Sequence, residues 1–327
     1  MANRVRVAVV QAASCFFDKA AGTRKACELI AKAGAGGAAL AAFGETWLPG
    51  YPFFVDSPVD ALWWEAAGIY LQNAVQIPGP ETDALCAAAK AAGVDVVIGV
   101  AELDAATKGT IYASLVFISR EGEILGRHRK IKPTHHERSI WGDGDELGLR
   151  VHERAYGRLA GLNCWEHNIL LPGFALIAQG VQVHVAAWPG REPDAAPTDP
   201  VWARQTLLSR AFASQSGAYV LAAAGLRRHS DVPEHLRPLS TFEHNGRSVI
   251  IDPRGEIIAG PAEGETLLFA DLDMDRVFEA KAACDPGGHY SRPDLFEVRL
   301  AGRRIYGSAK QENPDQAELP PGETPSA

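Results

Sequence analysis

Three residues able to take part in covalent chemistry each stand at the end of an apolar run. Glu45 follows 38–43, Lys130 closes 124–130, and Cys164 follows the alternating run 158–162. The run before Cys164 reads as a strand, and the Ile-Leu-Leu-Pro-Gly-Phe-Ala-Leu stretch from Ile169 reads as the approach to a helix. A cysteine at such a junction sits where the backbone turns sharply and free N–H groups can receive negative charge. A free thiol titrates near 8.5, so a nucleophilic cysteine needs a base or a cation beside it. A glutamate can take the thiol proton, and a lysine can stabilise both the thiolate and the anion formed when the thiol attacks. Taken one at a time the three residues have plainer readings: a packed cysteine, a capping or salt-bridging glutamate, and a solvated lysine at a strand end.

The elements that must bring them together can be read in order. A β-rich run covers 5–11, and 23–33 has helical spacing that stops at Gly34, Gly36 and Gly37. The run 38–43 is expected to be a buried strand, followed by a loop fixed by Pro49, Gly50 and Pro52. Helices are expected over 61–73 and 81–92, and strands over 95–100 and 111–119, the latter paired through a turn at 121–123 with 124–130. The segment 132–138 has no clear period, and 151–162 should hold two short strands. Beyond Cys164 follow a helix at 173–179, a strand at 181–187, a helix at 201–215 and a strand at 218–224. A polar insert around 227–243, strands over 247–252 and 266–272 and a helix over 275–283 complete the series. The two halves repeat strand, helix and strand without a linker, which predicts one α/β domain over 1–308 with sheets covered by helices. Residues 309–327, rich in Pro, Glu and small polar side chains, are expected to form a flexible tail.

Composition narrows the function classes. A chain of 327 residues with 46% hydrophobic and 22% charged residues is ordinary for a soluble globular protein. A formal net charge of −8 argues against a nucleic-acid or anionic-membrane surface; the one basic cluster, 127–132, is short and lies at a strand end. The five cysteines are widely spaced with no CxxC pair, so neither a disulfide framework nor a zinc site is expected. His135, His136 and His167 suggest no metal either, because the adjacent pair diverges and no carboxylate–histidine spacing fits. With no signal-peptide h-region and no run of membrane-spanning length, a reduced, cytoplasmic protein is expected.

Four stretches, in order, resemble the nitrilase superfamily. They are Gly44-Glu45-Thr46-Trp47-Leu48-Pro49-Gly50-Tyr51-Pro52, Arg129-Lys130-Ile131-Lys132-Pro133-Thr134-His135, Asn163-Cys164-Trp165-Glu166, and Tyr290-Ser291-Arg292-Pro293-Asp294 after Gly287-Gly288-His289. The resemblance spans about 4–300. It implies a four-layer α-β-β-α sandwich extended by dimerisation, and a Glu–Lys–Cys triad on Glu45, Lys130 and Cys164, with Glu137 as a second, assisting glutamate. The resemblance favours Lys130 over Lys132; alternation along a strand is expected to turn the two to opposite sides, so that only one points at Cys164. Cys164-Trp165-Glu166 and Lys132-Pro133-Thr134 are similar to the true nitrilases and cyanide hydrolases rather than to amidases or carbamoylases. The expectation is a nitrile aminohydrolase that needs no cofactor and no metal. Cyanide hydrolysis and amidase or carbamoylase activity on the same fold are alternatives, and a catalytically silent scaffold is disfavoured by the intact triad. The thiol would attack the nitrile carbon to give a thioimidate and then a thioester, with Lys130 and the Trp165 N–H stabilising the anionic nitrogen. Trp165, Trp188, Tyr51 and Phe53 are the candidate substrate contacts, and their aromatic rings would suit an aryl or arylaliphatic nitrile. The expected partners are a small nitrile and a second copy of the chain, with longer spirals built through 227–243 or the region after Asp285.

Overall fold

The structure, a computed structural model, describes residues 3–190 and 200–307. One six-stranded sheet is formed by β1 (Arg4–Gln11), β2 (Leu40–Ala42), β3 (Asp95–Leu103), β4 (Ile111–Ile118), β5 (Ile124–Arg129) and β14 (Thr266–Asp273), in the order β14-β1-β2-β3-β4-β5. The other is formed by β6 (His152–Arg154), β7 (Gly157–Asn163), β8 (Val183–Trp188), β9 (Tyr219–Ala224), β12 (Val249–Ile251) and β13 (Ile257–Ala259), in the order β13-β12-β9-β8-β7-β6. Two short ribbons, β10 (Leu226–Arg227) with β11 (His244–Asn245) and β15 (Val298–Leu300) with β16 (Arg303–Tyr306), lie outside them.

Strand alternation builds the layers. Val5, Val7 and Val9 of β1 face Val183 and Val185 of β8 and Leu221 of β9, forming a core between the sheets. Ala8 and Val10 face the other way and pack on helices α1 (Lys19–Ala35) and α3 (Pro80–Ala92). On the far side, Leu162 of β7, Ala186 of β8 and Val220 of β9 pack on α4 (Leu170–Ala178) and α5 (Pro200–Ser216). Three apolar cores therefore separate four layers, and the fold is the α-β-β-α sandwich. Each fully buried Val, Leu or Ile contributes about 1.5–3 kcal/mol, so no single strand holds the fold.

Two helices begin earlier than periodicity predicts. Helix α1 starts at Lys19 because Asp18 caps it, accepting a hydrogen bond from the Ala21 N–H at 2.8 Å. Helix α4 starts at Leu170 because Pro172 falls in its first turn, where the absent N–H has no intrahelical partner to lose. The polar insert after Arg227 is more than a surface loop. Its Leu236 and Leu239 are buried in an aromatic cluster with Phe17, Phe54, Trp63 and Tyr70, the last two from α2 (Ala61–Gln72). Helix α6 (Asp275–Ala283) has the bounds the sequence predicts. The expected tail, 309–327, lies outside the described residues.

Candidate active site

The site lies where strand ends from both sheets meet. Glu45 leaves β2 on a loop whose backbone crosses to the second sheet: Phe43 N–H donates to Val97 O at 2.9 Å, and Glu45 N–H donates to Trp188 O at 3.2 Å. This close approach needs Gly99 on β3, since a Cβ there would collide with the Gly44 carbonyl and the Thr46 nitrogen. Lys130 follows directly on β5, its N–H donating to Ala113 O at 2.7 Å. Cys164 follows β7 and opens a 3-10 turn, Cys164–Asn168, with φ of +46°. That left-handed conformation is costly for a residue with a Cβ, and such strain collects at functional sites.

The structure brings Glu45, Lys130, Glu137 and Cys164 into one buried cluster. Lys130 Nζ donates to Glu45 Oε1 at 2.7 Å and to Glu137 Oε2 at 2.6 Å. Glu137 comes from the segment without sequence period, which folds as a 3-10 turn, His135–Ser139, because the Thr134 N–H donates back to Glu137 Oε2 at 2.7 Å. Tyr51 OH donates to Glu137 Oε1 at 2.9 Å. Glu45 Oε2, by contrast, has no hydrogen-bond partner among the described residues although it is fully buried. A buried acceptor left open inside a cluster with a thiol is placed to take a proton.

One ammonium cannot balance three acids in a dry site. Burial pushes Glu45 up to about 8, with the Glu137 charge adding and Lys130 opposing. Burial likewise raises the Cys164 thiol well above its ordinary value, helped by Glu45, while Lys130 and the Trp165 N–H pull it down. Burial would lower Lys130, but Glu137 and Glu45 outweigh it and the ammonium stays charged. The thiol of the free enzyme is therefore neutral, and its base carries a proton below about pH 8. Because only ionised Glu45 can accept the thiol proton, kcat/KM should rise tenfold per pH unit on the acid side and level off above about pH 8. A pH–rate profile measures this, and a rate independent of pH between 6 and 8 would contradict it.

The two lysines separate as expected, for a different reason than alternation. Residues two apart on a strand share a face. Strand β5 instead ends at Arg129, and the turn after it carries Lys132 to the surface, where its Nζ bonds Asp143 Oδ2 at 2.7 Å.

The aromatic candidates divide. Tyr51 lines a small cavity with Glu45, Pro189, Leu226 and His244. Trp165 is half-buried between the edge of His135, 5.5 Å between ring centroids, and the Arg204 guanidinium, 5.1 Å from its ring. Trp188 is turned into the core beneath: its Nε1–H donates to Ser209 Oγ at 3.1 Å and its ring stacks on His167. Its contribution to the site is its carbonyl, which holds the Glu45 N–H. Phe53 lies away from the cluster, 1% exposed and stacked on Phe17, so its ring belongs to the aromatic core.

Residues the sequence offered no role for surround Cys164. His167 Nδ1 is 2.7 Å from Cys164 O, and His167 Nε2 is 2.9 Å from His184 Nε2. A carbonyl only accepts, so His167 carries its proton on Nδ1 and receives one from His184. Burial holds His167 down at about 4, so the ring is neutral. Neither histidine has a partner visible from spacing, since His184 lies one strand away on β8.

Comparison with known proteins gives the family. Residues 6–282 match the family model for carbon-nitrogen hydrolases. The chain is 52% identical over 300 residues, 91% of its length and 93% of the relative's, to a protein named nitrilase 2 from an unknown prokaryotic organism. It is 35% identical to an aliphatic nitrilase of Rhodococcus rhodochrous, over 92% of this chain and 84% of that one. Among solved structures, an amidase from Nesterenkonia sp. shares the fold with a TM-score of 0.61 at 19% identity, covering 85% of this chain and 94% of that one. The chain belongs to the carbon-nitrogen hydrolase family, and within it to the nitrilase superfamily with nitrilase-type relatives.

Proposed function

We propose that the protein is a nitrilase, converting an organic nitrile and two waters to a carboxylic acid and ammonia. The observation that carries this reading is Lys130 Nζ held between Glu45 and Glu137 beside the buried Cys164, with Glu45 Oε2 open. Glu45 takes the thiol proton as sulfur bonds to the nitrile carbon, and the proton passes to nitrogen, giving a thioimidate. Lys130 and the Trp165 N–H stabilise the charge that develops on that nitrogen. Glu45 then removes a proton from water, which adds to the same carbon; nitrogen leaves as ammonia, and a thioester remains. A second water, activated in the same way, breaks the C–S bond and returns the thiol. Glu137, fixed by Tyr51 and the Thr134 N–H, holds Lys130 in place.

Relatives named for nitrile hydrolysis, one at 52% identity, support nitriles over amides. The test presents a nitrile and its amide side by side. Equal yields of acid and ammonia from the nitrile are expected, and hydrolysis of the amide alone would overturn the assignment. Tyr51, Trp141 and Trp165 near the cluster favour an aryl or arylaliphatic substrate. The residues of the site complete the reaction without a cofactor.

The same reading makes 1–308 one catalytic domain, supported by the core shared between the sheets. It also makes the protein a homodimer. An apolar groove of about 430 Å³ lies between α4 and α5, away from Glu45 and Lys130, with exposed Ile169 and Leu170 in its lining. Exposed Tyr290, Leu295 and Phe296 offer further apolar surface for a spiral beyond the dimer. Five free thiols support a reducing, cytoplasmic setting. Among the described residues no helix is long and apolar enough to cross a membrane.

A further inference from the structure

Glu166 is a fully buried carboxylate that takes no part in the reaction outlined above. Its place in the fold is unusual: it lies in the turn after β7, yet two of its three hydrogen-bond donors, Ile131 and His128, come from the end of β5 in the other sheet. Oε2 accepts the Asn163 N–H at 2.7 Å, immediately before Cys164. Oε1 accepts the Ile131 N–H at 2.7 Å, immediately after Lys130. His128 Nε2, on β5 two residues before Lys130, lies 3.0 Å from both oxygens.

We propose that Glu166 is a positioning residue which sets the distance between nucleophile and lysine by tying the backbone beside Cys164 to the backbone beside Lys130. Every partner is a donor, so the carboxylate is used as a pure acceptor with both oxygens filled. No strand pairing joins β5 to β7, which belong to different sheets. Side-chain packing between the sheets fixes their mean separation but leaves strand ends free to slide, whereas three hydrogen bonds to one charged group fix the two ends to each other. The carboxylate stays ionised despite burial: burial raises it, and His128 with the two N–H groups more than offsets that. The residue also holds the turn that gives Cys164 its left-handed φ, because the Asn163 N–H is the one it anchors.

The proposal rests on the nitrilase reading and is tested on the full-length enzyme with Glu166→Gln and Glu166→Asp. In Glu166→Gln the new NH₂ must face either Ile131 N–H or Asn163 N–H, so one tie becomes a donor–donor contact. In Glu166→Asp the charge stays but the carboxylate is about 1.5 Å shorter, so both strand ends cannot be held at once. A shift of about 1 Å between reacting groups costs on the order of 100-fold. The expected result is a kcat lower by about 100-fold in Gln and about 10-fold in Asp, with KM for the nitrile changed less than about threefold. The acid limb of kcat/KM should move to lower pH in Gln alone. There the negative charge of Glu166 no longer opposes ionisation of Glu45, while Lys130, Glu137 and Cys164 around it are unchanged. A kcat within twofold of the parent in both variants would overturn the proposal. So would a loss matched by the unfolded fraction in circular dichroism with the acid limb unmoved. If the Gln variant does not fold, Asp decides: lowered kcat at constant KM supports the tie, and parental kcat overturns it. Hydrolysis of the nitrile by the parent, and its loss in Cys164→Ala, hold or fail independently of either variant.

Discussion

Cys164→Ala is expected to release ammonia from a nitrile at least about 1,000-fold more slowly than the parent. The other groups of the site could still bind and polarise the nitrile, but no atom would remain to form the C–S bond. The loss should not come from unfolding. Alanine adopts the φ of +46° with the same strain as cysteine, and the deletion removes one atom from the core that contains Leu162, Trp188 and Ala224. A stability cost of about 1 kcal/mol is typical of such a change. The two measurements are ammonia release and the thermal unfolding midpoint. A midpoint lowered by no more than about 2–4 °C with ammonia release lowered at least about 1,000-fold is the expected pair, and turnover near the parent's would remove Cys164 from the mechanism.

Lys130→Met has the second largest effect, on stability as well as rate. Methionine nearly matches the lysine stem, so the change isolates the ammonium. Losing a donor aimed at the developing nitrogen anion should lower kcat by about 10²–10³-fold. It also leaves Glu45 and Glu137 buried without their cation, which costs about 3–5 kcal/mol when both are ionised. The sign with pH follows from the direction of the shifts. Burial already raises Glu45 above its value in the unfolded chain, and without Lys130 nothing opposes that rise. A raised carboxyl favours the fold while it is protonated and loses that advantage as pH rises through the folded value. The deficit against the parent should therefore be largest at alkaline pH and shrink below about pH 5, where the unfolded chain also protonates. Denaturant titrations at pH 5 and pH 9 give the comparison; equal deficits would mean that the two carboxylates are not the residues left unpaired.

The fold was legible because its strands stand out as short apolar runs between segments of helical period. The run 5–11 from Val7 onward, and the runs 95–100 and 218–224, are buried on both faces in a sheet covered by helices or by its partner sheet, and such strands read as continuous apolar runs. What could not be read was chain that takes its order from distant groups. The segment 132–138 has no hydrophobic period because its turn is set by Thr134 and Glu137 and by the lysine between the glutamates, not by an apolar face. The insert after Arg227 looked polar because its buried apolar residues are few; Val232, Leu236 and Leu239 keep the i, i+4, i+7 spacing of a helix but stand among charged residues, Pro233 and Pro238.

For the site, the sequence by itself determined which chemistry was available. Residue type fixes that a thiol can attack, a carboxylate can accept a proton and an ammonium can stabilise an anion, and order along the chain put each after a strand. Tertiary structure decided the protonation states and the divisions of labour, because both depend on what is close in space. Burial with a single cation for Glu45 and Glu137 raises Glu45 to about 8, a value no local pattern contains. Packing beside Phe17 took Phe53 out of the candidate pocket, while a hydrogen bond to Glu137 put Tyr51 into the cluster. Glu166 shows the difference most directly. In the sequence it is one letter beside the cysteine, and in the fold its two oxygens span 35 residues to meet the backbone on either side of the site.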